Sequence, residues 1–214
     1  MFGTMHPRYR HAAAIYDKAF PFFSFGAGPK IHEIVARTVA VSDGGTVVDV
    51  GCGTGLMLAM LRERVGPSGR VIGIDMTEPM LDRARQRVSH GGWKNVELHC
   101  ADMTEFDPGT EADAAVFALS LSAAEPAATF HHTLGYLRPG GSVVIADGIP
   151  ARGRWYHPAI NAYARFRAPL VGSDLGRARE IERLAHEHLE DVRTRVIWAG
   201  LYTIISGRVP RKGG

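Results

Sequence analysis

A glycine-rich block, VVDVGCGTG at Val47–Gly55, has the residue types and spacing of a turn that binds a nucleotide-like ligand. Its glycines, Gly51, Gly53 and Gly55, follow a β-branched run and precede a helical pattern, the context in which such turns occur. Glycine lets the backbone turn sharply and lets a ligand approach without a Cβ in the way. A dinucleotide fingerprint needs a third glycine where Leu56 stands, which argues against NAD.

Two acidic residues further along the chain are candidates for the remaining contacts of such a ligand. Asp75 closes the next β-branched run, 24 residues after Gly51, where a carboxylate can accept hydrogen bonds from a ribose diol. Asp102 follows the third run and can accept a hydrogen bond from an adenine amino group. Met76 and Met103 are candidates for packing on the two faces of the purine, because the thioether is polarizable and adaptable. The plainer alternatives are a helix cap for Asp75 and core packing for the methionines.

The elements that must position these residues alternate between β-branched runs and helical patterns. Such alternation predicts parallel βαβ units, with each candidate residue at the end of a strand. Cys100 is therefore expected at the end of a buried strand, and the RPGG segment is expected to be a turn. The predicted strands are Thr46–Val50, Val71–Asp75, Val96–Cys100, Asp113–Leu119 and Ser142–Asp147, and the predicted helices are Leu56–Val65, Glu78–Val88 and Pro126–Leu137.

The C-terminal part of the chain has a different pattern. A charged helix is predicted from Asp174, as its N-cap, to about Leu189. Val192–Trp198 and Leu201–Arg208 then alternate like strands, and the two residues between them predict a tight hairpin.

The chain length is that of one domain with a substantial core. We therefore predict a single α/β domain over residues 1–214. Its parts are an N-terminal helical cap at 1–42, a ligand-binding core at 46–147, a substrate lid rich in arginine, proline and aromatic residues at 148–172, and a C-terminal helix and hairpin at 173–210.

The composition, with 45% hydrophobic residues, is typical of a soluble globular protein. No apolar run is long enough to span a bilayer, and no secretory signal is apparent. We predict a cytoplasmic protein. The two cysteines suit a reducing compartment and have no metal-ligand spacing, so no metal is expected.

Residues 1–150 carry a net charge of −3 and residues 151–214 one of +6. An anionic substrate, an anionic membrane surface or a solvated helix face would each explain the basic part.

Taken together, the motifs resemble those of class I S-adenosylmethionine-dependent methyltransferases. VVDVGCGTG is similar to the first motif of that family, VIGID at Val71–Asp75 to its acidic second motif, ADM at 101–103 to its adenine motif, and LRPGGSVVIAD at Leu137–Asp147 to its fifth strand. The resemblance implies a Rossmann-like sheet of seven strands in the order 3-2-1-4-5-7-6, with the last strand antiparallel and helices on both faces. It also implies S-adenosyl-L-methionine as cofactor.

By the same resemblance, the methionine part of the cofactor would lie against Gly51–Gly55 and Phe117–Ala118, and Asp49 would help to organise that pocket. The resulting set of predicted cofactor-binding residues is Tyr16, Asp49, Gly51, Cys52, Gly53, Thr54, Gly55, Asp75, Met76, Asp102, Met103, Phe117 and Ala118.

Two branches of the family resemble the chain more closely. YRHAAAIYD at Tyr9–Asp17 is similar to the entry segment of ubiquinone/menaquinone-type and bacterial phospholipid N-methyltransferases, which implies that Tyr16 caps the sulfonium side. FALSLSAAEP at Phe117–Pro126 looks closer to the phospholipid branch. Many small-molecule members have Leu-His where this chain has Leu121-Ser122, which puts a histidine base there in doubt. Tyr16 and His157 remain as catalytic candidates.

The predicted activity is transfer of a methyl group to an amine or hydroxyl of a small-molecule or lipid-like acceptor, by in-line displacement. Phospholipid N-methylation at a membrane surface, a non-catalytic S-adenosylmethionine-binding module and an NAD-dependent oxidoreductase are the alternatives. No nucleic-acid partner is expected, because the (Asp/Asn)-Pro-Pro-(Tyr/Phe) turn of base-methylating enzymes is missing. Apolar FPFFSF at 20–25 and nearby arginines allow peripheral contact with an anionic membrane, and a monomer or a homodimer fits the sequence.

Overall fold

The computed structural model describes residues 16–18, 20–21, 24, 26–148, 153–167 and 176–211. The described part of the chain is built from one mixed sheet and the helices that cover it. The helices are α1 (Ala27–Thr38), α2 (Leu58–Val65), α3 (Glu78–Gly91), α4 (Pro126–Gly135), α5 (His157–Arg167) and α6 (Ala178–His188), and the strands are β1 (Thr46–Val50), β2 (Arg70–Asp75), β3 (Val96–Cys100), β4 (Ala112–Ala118), β5 (Leu137–Asp147), β6 (Glu190–Ile197) and β7 (Tyr202–Arg208).

The seven strands form one sheet in the order β3-β2-β1-β4-β5-β7-β6. Strands β1 to β5 are parallel, and β7 runs antiparallel to both β5 and β6. This confirms the predicted sheet order and the predicted Rossmann-like fold. Because the first five strands are parallel, their carboxyl ends meet at one edge of the sheet, which we call the catalytic edge.

Successive side chains of the central strands point to opposite faces, and both faces are apolar. Val47 of β1 packs in a core that α1, α2 and α3 cover, whereas Val48 and Val50 pack in a second core that α4 and α6 cover. A parallel strand buried on both faces needs a nearly continuous apolar run. The one charged residue of β1, Asp49, is therefore an exception that points to function.

Strand β5 starts earlier than the sequence predicted, because RPGG does not form a terminating turn. The preceding helix ends at Gly135, and Leu137 already pairs with Ala112 of β4. The register then shifts so that Ser142 pairs with Ala114. Gly140 has φ +77°, a conformation that glycine adopts without strain, and this lets the strand continue through the irregularity.

Two details of the outer strands also differ from the prediction. Cys100 is exposed rather than buried, because β3 is an edge strand. The β6–β7 hairpin is confirmed, but its connection is a 3₁₀ turn at Trp198–Gly200 followed by Leu201, not a two-residue turn. Trp198 and Ala199 both have φ of +54° there, which lets the chain reverse over the longer connection.

The remaining helices match the prediction in part. The C-terminal helix begins at Ala178, and the N-cap predicted at Asp174 lies outside the described residues. The predicted lid at 148–172 is described in part, since it contains α5 but 149–152 and 168–172 lie outside the described residues. Residues 1–15, 19, 22–23 and 25 of the predicted cap, and with them part of the FPFFSF segment, also lie outside. Within the described residues, no helix combines the length and the apolar character needed to cross a bilayer.

Candidate functional site

The glycine turn after β1 is held against the end of β2. Its three glycines have φ of +77°, +55° and +79°, which is the left-handed region that favours glycine. The N–H groups of Gly51 and Cys52 donate to the carbonyl oxygen of Ile74 at 2.8 and 2.9 Å. A Cβ at Gly51 would lie only 2.5 Å from Cβ of Ser120, so the loop after β4 and the glycine turn approach each other too closely for a side chain.

The Asp75 carboxylate connects the first two motifs. Its Oδ2 accepts a hydrogen bond from the Gly53 N–H at 2.9 Å, and its Oδ1 accepts one from the Thr77 N–H at 2.8 Å. Burial raises the pKa of Asp75, while these donors oppose the rise. A carboxylate oxygen can accept more than one hydrogen bond, so a ribose hydroxyl is compatible with this arrangement.

The third motif packs against the other two. The Ala101 N–H donates to the Asp75 carbonyl oxygen at 3.2 Å, and Asp102 Oδ1 accepts from the N–H and the hydroxyl of Thr104 at 2.9 and 2.7 Å. The Met103 sulfur lies 3.4 Å from the place that a Cβ on Gly51 would occupy. The structure thus brings Gly51–Gly55, Asp75 and Asp102–Met103 to one edge of the sheet.

Asp49 is the unusual electrostatic feature of this edge. Its side chain is 1% exposed, and within the described residues its Oδ2 has no hydrogen-bond partner. Burial, followed by the charge of Asp75, raises the pKa of Asp49 to about 7. A buried carboxylate oxygen without a hydrogen-bond partner lowers the stability of a protein that has no bound ligand. It is well suited to a ligand that carries positive charge.

The other side chains of the turn have structural contacts. Cys52 is buried, and its sulfur lies 3.0 Å from where a Cβ on Gly73 would stand. Burial raises the pKa of the Cys52 thiol well above its usual value, so this thiol is a poor nucleophile. Thr54 is also buried, and its hydroxyl donates to Asp17 Oδ1 at 2.6 Å.

Asp17 and Arg87 are site residues that the sequence reasoning missed. Arg87 of α3 donates through Nε to the Thr54 carbonyl oxygen at 2.9 Å, and its guanidinium forms an ion pair with Asp17. Together with the Thr54 hydroxyl, these contacts fix the N-terminal segment to the glycine turn. Asp17 stood within the YD pair that the sequence singled out, whereas no sequence signal pointed to Arg87.

The two residues predicted to be catalytic, Tyr16 and His157, have the following contacts. Tyr16 adjoins Asp17 and stacks on Phe20, with ring centroids 5.6 Å apart, so it lies next to the anchored segment. His157 is buried at the start of α5, where its Nδ1 accepts from the Arg154 N–H at 3.3 Å. These His157 contacts lie within its own segment and do not connect it with the glycine turn. The catalytic roles of both residues stay predictions.

The end of β4 contains a second hydrogen-bonded group. Leu119 has φ +62°, and the Ser120 hydroxyl donates to the Val50 carbonyl oxygen at 2.6 Å. The N–H and hydroxyl of Ser122 donate to the buried carboxylate of Asp147 at 2.9 and 2.7 Å. Burial raises the pKa of Asp147, and these donors oppose the rise. The loop after β4 is thereby tied to the ends of β1 and β5.

Three predicted residues have less direct connections to this edge. Phe117 has a wholly buried side chain that packs near Phe130, so any contact it makes with a ligand must come from its backbone. Ala118 is half-buried at the end of β4, and Met76 is half-buried directly after Asp75. Their cofactor contacts also stay predictions.

Comparison with known proteins places the chain among methyltransferases. Residues 47–141 match a family model described as a methyltransferase domain. A phosphatidylethanolamine N-methyltransferase of Cereibacter sphaeroides is 35% identical over 78% of this chain and 72% of that protein. A demethylmenaquinone methyltransferase of Listeria monocytogenes is 27% identical with the same coverages. An arsenite methyltransferase of Halobacterium salinarum is 36% identical over half of this chain, which spans only 28% of that protein.

Solved structures share the fold. A SAM-dependent methyltransferase from Aquifex aeolicus superposes with a TM-score of 0.59 at 22% identity, over 83% of this chain and 89% of that chain. Phospholethanolamine N-methyltransferase 2 of Haemonchus contortus, in complex with phosphomonomethylethanolamine and S-adenosylhomocysteine, superposes with a TM-score of 0.71 at 15% identity, over 98% of this chain and 61% of that chain.

The buried carboxyl of Asp49 predicts that the parent protein and an Asp49→Asn variant differ in stability by an amount that depends on pH. The pKa of this carboxyl is about 3.8 in the unfolded chain and about 7 in the folded protein, so the ligand-free protein loses stability as pH rises between these values. Asp49→Asn removes this loss. Relative to the parent, its free energy of unfolding should rise by about 4 kcal/mol between pH 4 and pH 8. Urea unfolding at several pH values measures the difference, and a difference independent of pH would contradict the assignment.

The Asp17–Arg87 contacts are expected to protect the N-terminal segment from proteolysis. Asp17→Asn keeps the shape of the side chain but removes the charge pair, so the N-terminal segment should open more often. A half-exposed ion pair contributes about 1 kcal/mol, which corresponds to roughly a fivefold faster tryptic cleavage after the exposed Lys18. Mass spectrometry of timed digests measures this rate. Glu33→Gln, which removes exposed ion pairs on α1, is the matched control and should leave cleavage after Lys18 unchanged.

Proposed function

The chain belongs to the S-adenosylmethionine-dependent methyltransferases, and we propose that it methylates an amine or hydroxyl of a lipid-like acceptor. The observation that supports this acceptor class best is the 35% identity with a phosphatidylethanolamine N-methyltransferase, which extends over 72% of that protein. The second relative, a demethylmenaquinone methyltransferase, also has a name that denotes a lipophilic acceptor. Within this class we favour the amine of an ethanolamine phospholipid.

The residues at the catalytic edge fit the cofactor of this family. S-adenosylmethionine carries a sulfonium and an ammonium, and Asp49 offers a buried carboxylate oxygen that has no partner within the described residues. The glycine turn leaves space for close backbone approach, as a Cβ at Gly53 would meet nothing within 4 Å. We assign the ribose to Asp75 and the adenine to Asp102, with Met76 and Met103 beside the purine. When bound, the cofactor supplies an electrophilic methyl group.

The chain's own contribution to transfer is then mainly positioning. The hydrogen bond between Asp17 and Thr54 anchors the N-terminal segment to the glycine turn, and we propose that the neighbouring Tyr16 excludes water from the site. The bonds of Ser120 and Ser122 fix the loop after β4 on the acceptor side. Holding an acceptor atom in line for attack can supply a large part of the acceleration without a dedicated base. Tyr16 and His157 are the side chains we propose if a proton must be removed from the acceptor.

Calorimetry tests the cofactor assignment. We expect the folded protein to bind S-adenosylhomocysteine and not NADH. Asp75→Ala should weaken S-adenosylhomocysteine binding by roughly 10- to 100-fold, because two charge-assisted hydrogen bonds to the ribose are lost. Asp82→Ala, which removes an exposed carboxylate on α3, should bind like the parent. Absence of binding by the folded parent protein would contradict the proposed function.

A transfer assay tests the acceptor class. With labelled S-adenosylmethionine, label should enter the lipid phase when detergent-solubilised phosphatidylethanolamine is supplied, and phosphatidylcholine should give no product because its amine is already fully methylated. Demethylmenaquinone is the second acceptor to supply. Cofactor binding without transfer to either lipid would contradict a lipid-like acceptor and favour a non-catalytic S-adenosylmethionine-binding module. Sedimentation velocity of the same preparation decides between monomer and homodimer.

A further inference from the structure

The large apolar side chains that are exposed in the described part of the chain all lie in the last third of the sequence. They are Trp155, which is 92% exposed, Val196 at 50% and Trp198 at 42%. Single exposed apolar residues are ordinary, but two tryptophans in one region are more informative. Tryptophan is enriched where one side of a protein meets water and the other meets hydrocarbon.

These residues lie at the catalytic edge of the sheet. Ile197, the last residue of β6, pairs with Tyr202, and the adjacent Thr203 pairs with Asp147 at the carboxyl end of β5. Trp198 directly follows Ile197, so it lies at the same edge as the glycine turn. Trp155 stands two residues before α5, and α5 packs against the turn that contains Trp198.

Exposed arginines accompany the apolar residues. Arg154 directly precedes Trp155, Arg165 belongs to α5, and Arg195 lies on β6, on the face of the strand opposite to Val196. Within the described residues, none of these three side chains forms an ion pair. The acidic residues of β6, Glu190 and Asp191, stand at the opposite end of that strand. Along β6, positive charge therefore lies nearer to the catalytic edge than negative charge does.

We propose that Trp155, Val196 and Trp198, with Arg154 and Arg165, form a docking face for an anionic lipid bilayer. The inference rests on the proposed function, since an enzyme with a lipid-like acceptor has to take that acceptor from a bilayer. Tryptophan rings insert at the level of the headgroups, and the arginines pair with anionic lipid phosphates. Docked in this way, the catalytic edge faces the lipid that supplies the acceptor.

The charge of the docking face favours a bilayer over a second copy of the chain. A two-fold contact between copies places the same patch against itself, which brings the arginines of one copy towards those of the other. Arginines on an edge strand such as β6 also discourage strand pairing between copies. An anionic bilayer supplies both the apolar layer and the negative charge that this face lacks.

The three tryptophans of the chain make the test specific. Trp93 precedes β3 and so lies at the opposite edge of the sheet, which makes it the internal reference. Vesicles of phosphatidylcholine mixed with phosphatidylglycerol contain no ethanolamine amine, so they report docking without methyl transfer. We expect a blue shift of tryptophan emission with these vesicles, retained in Trp93→Phe and absent in the Trp155→Phe/Trp198→Phe double variant, where only Trp93 reports.

Co-sedimentation with the same vesicles measures affinity. Trp155→Ala/Trp198→Ala should weaken binding about tenfold or more, and Arg154→Glu/Arg165→Glu should weaken it about tenfold and remove the preference for anionic lipid. Arg37→Glu, on the exposed end of α1 that leads to the amino end of β1, is the matched charge control and should bind like the parent. Circular dichroism checks that each variant is folded.

The outcomes separate the docking face from the proposed function. No vesicle binding by the parent, or binding that the tryptophan and arginine variants leave unchanged, would overturn the docking face. So would a dimer that the Trp155→Ala/Trp198→Ala variant dissociates. Methyl transfer to detergent-solubilised phosphatidylethanolamine without vesicle binding would leave the proposed function intact and refute only the docking face. Binding that follows the variants as expected supports it, whichever acceptor the enzyme uses.

Discussion

The hydrogen bonds of the Asp75 carboxylate hold the candidate site together. One oxygen fixes the N–H of Gly53 in the turn after β1, and the other fixes the N–H of Thr77 at the start of α3. The carbonyl of the same residue receives the N–H of Ala101, which begins the third motif. One residue at the end of β2 thus sets the relative positions of three segments that are far apart in sequence, and every proposed cofactor contact depends on those positions.

The same edge carries more buried negative charge than a protein without ligand would favour. Asp75 and Asp147 each receive several hydrogen bonds, which offset part of the cost of burial. Asp49 does not receive comparable donors, and the nearby charge of Asp75 raises its pKa further. The site is therefore electrostatically incomplete without a cation. A positively charged ligand at this edge would relieve the repulsion, so binding and stability are coupled through Asp49.

The sequence predicted the residues that sit at strand ends and missed those whose partners are distant. Asp75 and Asp102 could be placed because strand periodicity assigns each to the end of a β-branched run. The irregular course of β5 could not be predicted, since it depends on Gly140 and on pairing with β4. The Arg87–Asp17 ion pair joins residues 70 positions apart, and no local pattern encodes such a contact. Cys100 was misjudged because exposure depends on strand order, not on strand composition.

The two halves of the site are built differently, and this difference bears on acceptor choice. The cofactor half consists of strand ends and a glycine turn that the sheet holds rigidly. The proposed acceptor half involves α5, the residues just before it and the β6–β7 connection, where Trp155, Arg165 and Trp198 are exposed. Changes in these outer segments can alter the acceptor while Asp75 and the glycine turn stay as they are. Family motifs therefore identify the methyl donor, whereas the chemistry of the outer surface has to identify the acceptor. In this chain that surface is basic and rich in tryptophan, which agrees with an acceptor held in an anionic bilayer.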